Sequence, residues 1–283
     1  IVIFRMQEEE KRETATIINK KYCVMSKIGQ GQFGHVFRGK NTKSGEHVAI
    51  KMEILDSSLK LLKHETTLLN YLCSKGVKYI PFVYWYGIFL KNPTLVMPLY
   101  EQSLDEWLLQ NVISKKRASE IANKMVEILD AVHKQCIIHR DIKPQNFMWK
   151  AGNIYLIDFG LSTVYVDEHN QHIMSKNENM SILGTPKFVS IHVHNGVDAS
   201  RRDDLISVAY IYMYMQENQH IPWENVQDQV EIEPKYAENH ILYYKNQIRK
   251  QKKMEVQGPL LNYLYNLNYT ETPDYGKIAA LLL

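Results

Sequence analysis

The chain of 283 residues is 45% hydrophobic, 11% aromatic and 23% charged. Those globular proportions exclude a disordered, collagen-like or coiled-coil chain, and at about 150 residues per domain the length suits one or two domains. A net charge of +3, from 34 basic and 31 acidic residues, gives no global field pointing to direct nucleic-acid binding.

Residues 1–21 begin with a short apolar stretch and turn charged and aperiodic, which reads as an N-terminal arm. The first residue is Ile1 and Met6 is a candidate original start. Charges at Arg5 and from Glu8 to Arg12 come too early for a secretory signal. From Tyr22 the texture is strand-like: YCVMSKIG, HVFRGK and HVAIKMEI, separated by glycine-containing turns. Leu59, Leu62, Leu69 and Leu72 then predict a helix over 57–73, followed by strands near 82–90 and 94–99. After Tyr100 the pattern turns helical. Ser103 and Glu106 form a capping-box signature before an apolar run, and 117–135 is amphipathic at helical period. CIIH and IYLID are short apolar runs flanking a dense polar motif, and 160–200 reads as loop. LISVAYIYMYM, from Leu205 to Met215, is too short to span a bilayer and predicts a buried core helix, so no membrane association is expected. Cys23, Cys73 and Cys136 stand 50 and 63 residues apart, neither metal spacing nor a disulfide framework, so a reducing compartment is expected.

Three motifs carry chemistry. Gly29-Gln30-Gly31-Gln32-Phe33-Gly34-His35-Val36 sits between two strand-like segments. That context suits a flap whose backbone N–H groups approach phosphate oxygens, although an ordinary glycine hairpin reads the same way. Lys51 follows 17 residues after Gly34, at the end of an apolar strand, and Glu65 stands 14 residues further on as a candidate partner. A lysine snorkelling from a strand end would look alike. The densest stretch is His139-Arg140-Asp141-Ile142-Lys143-Pro144-Gln145-Asn146, with Asp158-Phe159-Gly160 starting twelve residues after Asn146. Phosphoryl transfer needs alignment, a carboxylate near the attacking hydroxyl and Mg²⁺ against the phosphates. Asp141 suits the carboxylate, Asn146 and Asp158 are hard oxygen donors for a metal, Lys143 can steady a phosphoryl group, and Gly160 allows a sharp turn.

These motifs resemble the protein-kinase signature set over about residues 22–280. The resemblance implies an α+β, bilobal fold: a five-stranded antiparallel sheet plus one helix in the N-lobe (22–97), a hinge at 98–100, a mainly helical C-lobe (101–283), and ATP between the lobes. Gly184-Thr185-Pro186-Lys187-Phe188-Val189-Ser190-Ile191-His192, where Ala-Pro-Glu is usual, is similar to the Ser-Ile-Asn variant of casein kinase I. Ser200 to Leu205 (SRRDDL), Ile221-Pro222-Trp223 and Thr272 to Tyr275 extend that likeness. The vaccinia-related kinases share part of it, and the short chain would suit a viral or protist member.

By that resemblance Asp141 is the catalytic base, Lys143 steadies the phosphate, Asn146 and Asp158 bind Mg²⁺, and Thr185 hydrogen-bonds near Asp141. ATP is expected against Ile28, Gly29, Gln30, Gly31, Gln32, Phe33, Gly34, His35, Val36, Ala49, Lys51 and Glu65, with Met97 as gatekeeper and Pro98 to Tyr100 as hinge. Leu69, His139 and Phe159 would form a packed column and Asp204 would cap the catalytic loop. Departures are Pro98, His192 for Asn, Ala209 for Gly, and a longer stretch after Trp223. Casein-kinase-I-like enzymes favour acidic or phosphorylated sites, so Arg201 and Lys245 are expected to form a substrate anion site. The run 245–253 holds five basic residues and reads first as a solvated helix face, with an import signal as the lesser reading; the chain is expected in the cytoplasm, with the nucleus as an option. His192-Val193-His194 is too few ligands for a metal. The expected function is a Ser/Thr protein kinase acting as a monomer on protein substrates. The alternatives are an ATP-binding pseudokinase scaffold, disfavoured by the presence of Lys51, Asp141 and Asp158, and a small-molecule kinase, disfavoured by the Gly-Thr segment.

Overall fold

The computed structural model describes residues 16–31, 34–54, 61–176, 182–224, 241–242, 245–246 and 258–283. The chain divides into two compact units, one taking residues up to Ser58 and 84–99, the other 59–83 and 100–283.

The first unit is an antiparallel sheet in the order β1-β2-β3-β4-β6-β5. Its strands are β1 (Ile17–Ile18), β2 (Tyr22–Gly31), β3 (Gly34–Asn41), β4 (His47–Glu53), β5 (Trp85–Phe89) and β6 (Asn92–Pro98). Val48 and Ile50, two apart on β4, share one face of the sheet with Ile18, Tyr22 and Val96 in the core, with Phe37, Trp85 and Phe89 packed around them. The expected five strands become six, and the arm ends earlier than expected. Ile17 pairs with Cys23 and Ile18 with Tyr22, and Ile18 is fully buried. A two-residue strand gives too little periodicity to be read from sequence.

The second unit begins with α1 (Leu61–Ser74), so the helix expected within the N-lobe groups by contact with the C-terminal part of the chain. Residues 57–60 of the predicted helix lie outside the described residues. Then come β7 (Gln102–Ser103), α2 (Leu104–Gln110) and α3 (Lys115–His133). α2 starts as its sequence dictates: the Ser103 hydroxyl accepts the Glu106 N–H at 3.1 Å and the Glu106 carboxylate accepts the Ser103 N–H at 2.8 Å. α3 buries Ile121, Ala122, Met125, Ile128, Leu129 and Val132 at helical period and packs on α5 (Arg201–Gln216), whose residues from Arg201 to Met215 are all buried. A helix buried on all sides belongs at the centre of a unit. β8 (Ile137–Ile138), β9 (Phe147–Lys150), β10 (Asn153–Leu156) and β11 (Thr163–Val164) carry the polar motif between them. The four-residue turn α4 (Ile191–His194) and the helices α6 (Gly258–Tyr265) and α7 (Tyr275–Leu281) complete the described elements. Among the described residues no helix is long and apolar enough to cross a membrane.

Replacing Ser103 by alanine removes one half of the α2 capping box. Urea unfolding should show a loss of about 1 kcal/mol, the usual cost of a lost N-cap, and an unchanged midpoint would contradict the cap's role.

Candidate active site

The chain reverses between β8 and β9, and the polar motif occupies that reversal. Arg140 adopts φ 70°, a left-handed conformation that a non-glycine residue holds only when surrounding bonds impose it. Here they do. The Arg140 N–H donates to Asp204 Oδ1 at 2.9 Å, the His139 N–H to Asp204 Oδ2 at 2.7 Å, and the Arg140 Nε–H to the Leu161 carbonyl at 2.6 Å. His139 lies flat in the core, its Nε2 3.0 Å from the Ile157 carbonyl and its Nδ1 accepting the Asp141 N–H at 3.3 Å. Burial holds its pKa below the ordinary histidine value. Its ring meets Phe159 edge-on at 4.9 Å, and Leu69, His139 and Phe159 are all fully buried.

This reversal presents Asp141. Its Oδ2 lies 2.7 Å from Lys143 Nζ, and its Oδ1 accepts the Thr185 hydroxyl at 2.8 Å. Thr185 in turn accepts from Lys143 Nζ at 3.1 Å. Asn146, on a 3-10 turn entered through Pro144, donates its amide N–H groups to the Asp141 carbonyl at 2.8 Å and to Oδ2 at 3.1 Å. The structure therefore brings together Asp141, Lys143, Asn146 and Thr185, the last from 44 residues along the chain. With its amide N–H groups spent on Asp141, Asn146 has its Oδ1 to offer a hard cation, which fits a Mg²⁺ ligand. Asp158 is the second oxygen donor and carries the left-handed backbone itself, at φ 66° and ψ 68°. The sharp turn was expected of Gly160. That residue is not in the left-handed region, and a Cβ there would meet only ordinary contacts, at 3.5 Å from Asp158 Oδ1.

In the first unit, β2 and β3 pair as a hairpin with Gly29 opposite Val36, Gln30 opposite His35 and Gly31 opposite Gly34, while Gln32 and Phe33 lie outside the described residues. Only Gly34 is demanded by packing, since a Cβ there would come 2.2 Å from the Met52 carbonyl oxygen. At Gly31 a Cβ would meet nothing within 4 Å. An ordinary hairpin thus accounts for Gly34 and leaves Gly31 without a local reason. Lys51 pairs with Val36 and Leu95, and Ala49 with Met97, inside the sheet; Ile28 is exposed near its end, and Pro98 closes β6 opposite Val48. Glu65, on α1, and Tyr100 are buried residues of the second unit.

The expected anion site is corrected. Arg201 is 8% exposed and its guanidinium donates to the Thr270 carbonyl at 2.7 Å, Thr272 Oγ1 at 3.1 Å and the Tyr165 hydroxyl at 3.3 Å. Lys245 is fully buried, donating to the Val189 carbonyl at 2.6 Å and the Pro186 carbonyl at 2.9 Å, with His194 Nε2 at 3.1 Å. Both cations are spent on internal acceptors. The rest of the basic run, from 247, lies outside the described residues. His194 is part of that buried cluster, and among the described residues no group of three or more His, Cys, Asp or Glu side chains could hold a metal.

Asp203 and His133 were given no role from sequence. Asp203 accepts the Ser200 N–H at 2.8 Å and bonds the Ser190 hydroxyl. A capping-box spacing from Ser200 to Asp203 was the available signal. His133 places Nε2 3.0 Å from Asp204 Oδ2 and Nδ1 2.6 Å from the Tyr275 hydroxyl. No local pattern marks a bond between residues 142 apart.

Burial, and then the Lys245 charge, push the His194 pKa down to about 3. A histidine whose folded value lies below its unfolded value of about 6.5 adds stability that is fully present above that pH and lost as pH falls. The urea midpoint should therefore drop between about pH 7 and pH 5, before carboxylates titrate, and His194→Gln should flatten that dependence. An equal slope in the variant would contradict it.

The protein kinase domain family model matches residues 22–268. That span begins at β2 and takes in the Gly-rich hairpin, the Asp141 cluster and α5, and the chain belongs to the protein kinase domain family.

Proposed function

We propose that the chain is an active Ser/Thr protein kinase that transfers the γ-phosphoryl group of ATP to serine or threonine hydroxyls of protein substrates, with casein kinase I as the subfamily it most resembles. The observation that carries this reading is the Asp141 carboxylate, gripped by Lys143, Asn146 and Thr185 in one cluster. A carboxylate so oriented accepts the proton of an attacking hydroxyl as the new P–O bond forms. Lys143 then supplies positive charge to the transferring phosphoryl group. Asn146 Oδ1 and the Asp158 carboxylate would hold Mg²⁺, which when bound offsets phosphate charge. By the family likeness Lys51 would orient the ATP phosphates, and the side-chain-free position at Gly31 suits a backbone that closes on them. Lys143, two residues after Asp141, supports serine and threonine over tyrosine. Three free cysteines suit a reducing compartment, and we place the protein in the cytoplasm. With Arg201 and Lys245 bound to internal acceptors, a preference for acidic or primed sites rests on the casein kinase I likeness alone.

Transfer of label from γ-labelled ATP to casein tests the reading. Asp141→Asn should lower kcat by about 10²- to 10⁴-fold with the thermal midpoint preserved. Equal rates in mutant and wild type would remove Asp141 from the role of base, and no transfer by the wild type would favour the pseudokinase scaffold.

The described part of the segment after Phe159, up to residue 176, is pinned at two points without a phosphate. Ser175 Oγ donates to Asp198 Oδ2 at 3.2 Å and accepts the Asp198 N–H at 3.0 Å, while the Tyr165 N–H donates to the Cys136 carbonyl at 3.0 Å. Protein treated with phosphatase should therefore retain its activity on casein. A strict need for prior phosphorylation would contradict this.

A further inference from the structure

The backbone that follows Thr185 is held at nearly every carbonyl. The Thr185 carbonyl accepts from the Phe188 and Val189 N–H groups at 2.8 and 3.0 Å. The Lys187 carbonyl accepts the Trp223 indole N–H at 2.8 Å. The Pro186 and Val189 carbonyls accept from one donor, the ammonium of Lys245, at 2.9 and 2.6 Å. The third direction of that ammonium points to His194 Nε2 at 3.1 Å. An ammonium has three N–H groups and no acceptor; two go to the carbonyls, and His194 Nε2, which also lies 3.1 Å from the Pro186 carbonyl, takes the third in the tautomer that leaves this nitrogen bare. The rings of Tyr210 and Trp223 lie 4.9 and 5.2 Å from Nζ and offer their faces to the charge. A fully buried lysine is costly unless it is paired in this way, and burial pulls its pKa well below the ordinary lysine value.

The clamp sits beside the reacting position. Thr185 touches Asp141, so a hydroxyl delivered to Asp141 arrives next to Thr185. Pro186 follows Thr185 directly and is exposed, so the segment the ammonium holds begins beside that point. We propose that Lys245 is a positioning residue for the protein substrate, fixing the backbone of Pro186 to Val189 as the platform on which the substrate's flanking residues dock. This rests on the kinase reading above. It assigns Lys245 to substrate docking through the segment it holds, with no contact to phosphate or to the substrate itself.

Steady-state kinetics on Lys245→Met test it, because methionine keeps an apolar stem in the aromatic cage and removes all three donors. With a serine-containing casein peptide as acceptor, the peptide KM should rise at least tenfold while the KM for ATP stays within twofold. A peptide KM within twofold of wild type overturns the proposal. So does a parallel change in both KM values, which would make Lys245 a general packing residue. Should Lys245→Met fail to fold, Trp223→Phe decides by the same measure, since it keeps an aromatic ring, though a smaller one, and removes the donor to the Lys187 carbonyl. A peptide KM raised threefold or more with an unchanged ATP KM supports the clamp, and an unchanged peptide KM overturns it. Wild-type protein that phosphorylates no peptide overturns the kinase reading itself, whereas an active wild type with an unaffected variant overturns the clamp alone.

Discussion

The Asp204 carboxylate organises the second unit. It is fully buried at the start of α5 and takes the His139 and Arg140 N–H groups and His133 Nε2. Burial alone would raise its pKa, yet the bonds from His133 and His139 outweigh that and hold it below the ordinary carboxylate range. Its neighbour Asp203 is equally buried and shows the opposite balance. There burial prevails over Arg202 and the serine bonds, and the pKa is raised. Two adjacent carboxylates on one helix point about 100° apart, so they serve different partners. Asp204 fixes the loop that carries Asp141. Asp203, through Ser190, fixes the end of the segment that carries Thr185. The 2.8 Å bond between Thr185 and Asp141 is where those two lines of positioning meet.

Such anchoring explains how two left-handed residues survive in the site. Arg140 and Asp158 lie at φ 70° and 66°, at a cost of order 1–3 kcal/mol each. Arg140 is bound through its own N–H, its side chain and both chain neighbours, so relaxing it would break bonds to a buried carboxylate. The strain aims Asp141 outward from a reversal that regular structure would not make. A carboxylate held this way needs no reorganisation when charge develops beside it, which is the physical content of preorganised catalysis.

How much of this was legible follows from how local each cause is. The strands of the sheet, the core helix and the Ser103 cap come from periodicity and short-range chemistry, and they appear where the sequence put them, within a few residues. The Asp141 motif was legible because its members are close in sequence and their chemistry is narrow. Lys245 was not, because its hydrogen-bond partners lie 51 to 59 positions away. In sequence it heads a basic run and looks solvated, while in the fold two carbonyls and two aromatic rings enclose it. The same failure put the turn on Gly160, where residue type suggested it, and not on Asp158, where hydrogen bonds impose it. β1 was missed because two residues carry no period, although Ile18 is part of the core.

The way the platform is held also separates positioning from selectivity. Lys245 and Trp223 read main-chain carbonyls, which every residue possesses. The side chains of Pro186 and Lys187, which are not buried, can therefore vary without loosening the backbone that bears them. Lys187 pairs with Glu224, and Phe188 packs edge-on against Tyr214 at 5.7 Å. Phe188 belongs to the core, whereas changes at Pro186 and Lys187 alter the surface met by a substrate while the Thr185–Asp141 bond keeps its geometry. An anchor built on side-chain ion pairs would couple the two, since replacing one partner would leave a buried charge behind. Backbone anchoring lets the substrate-facing residues diverge at little cost to the alignment on which phosphoryl transfer depends.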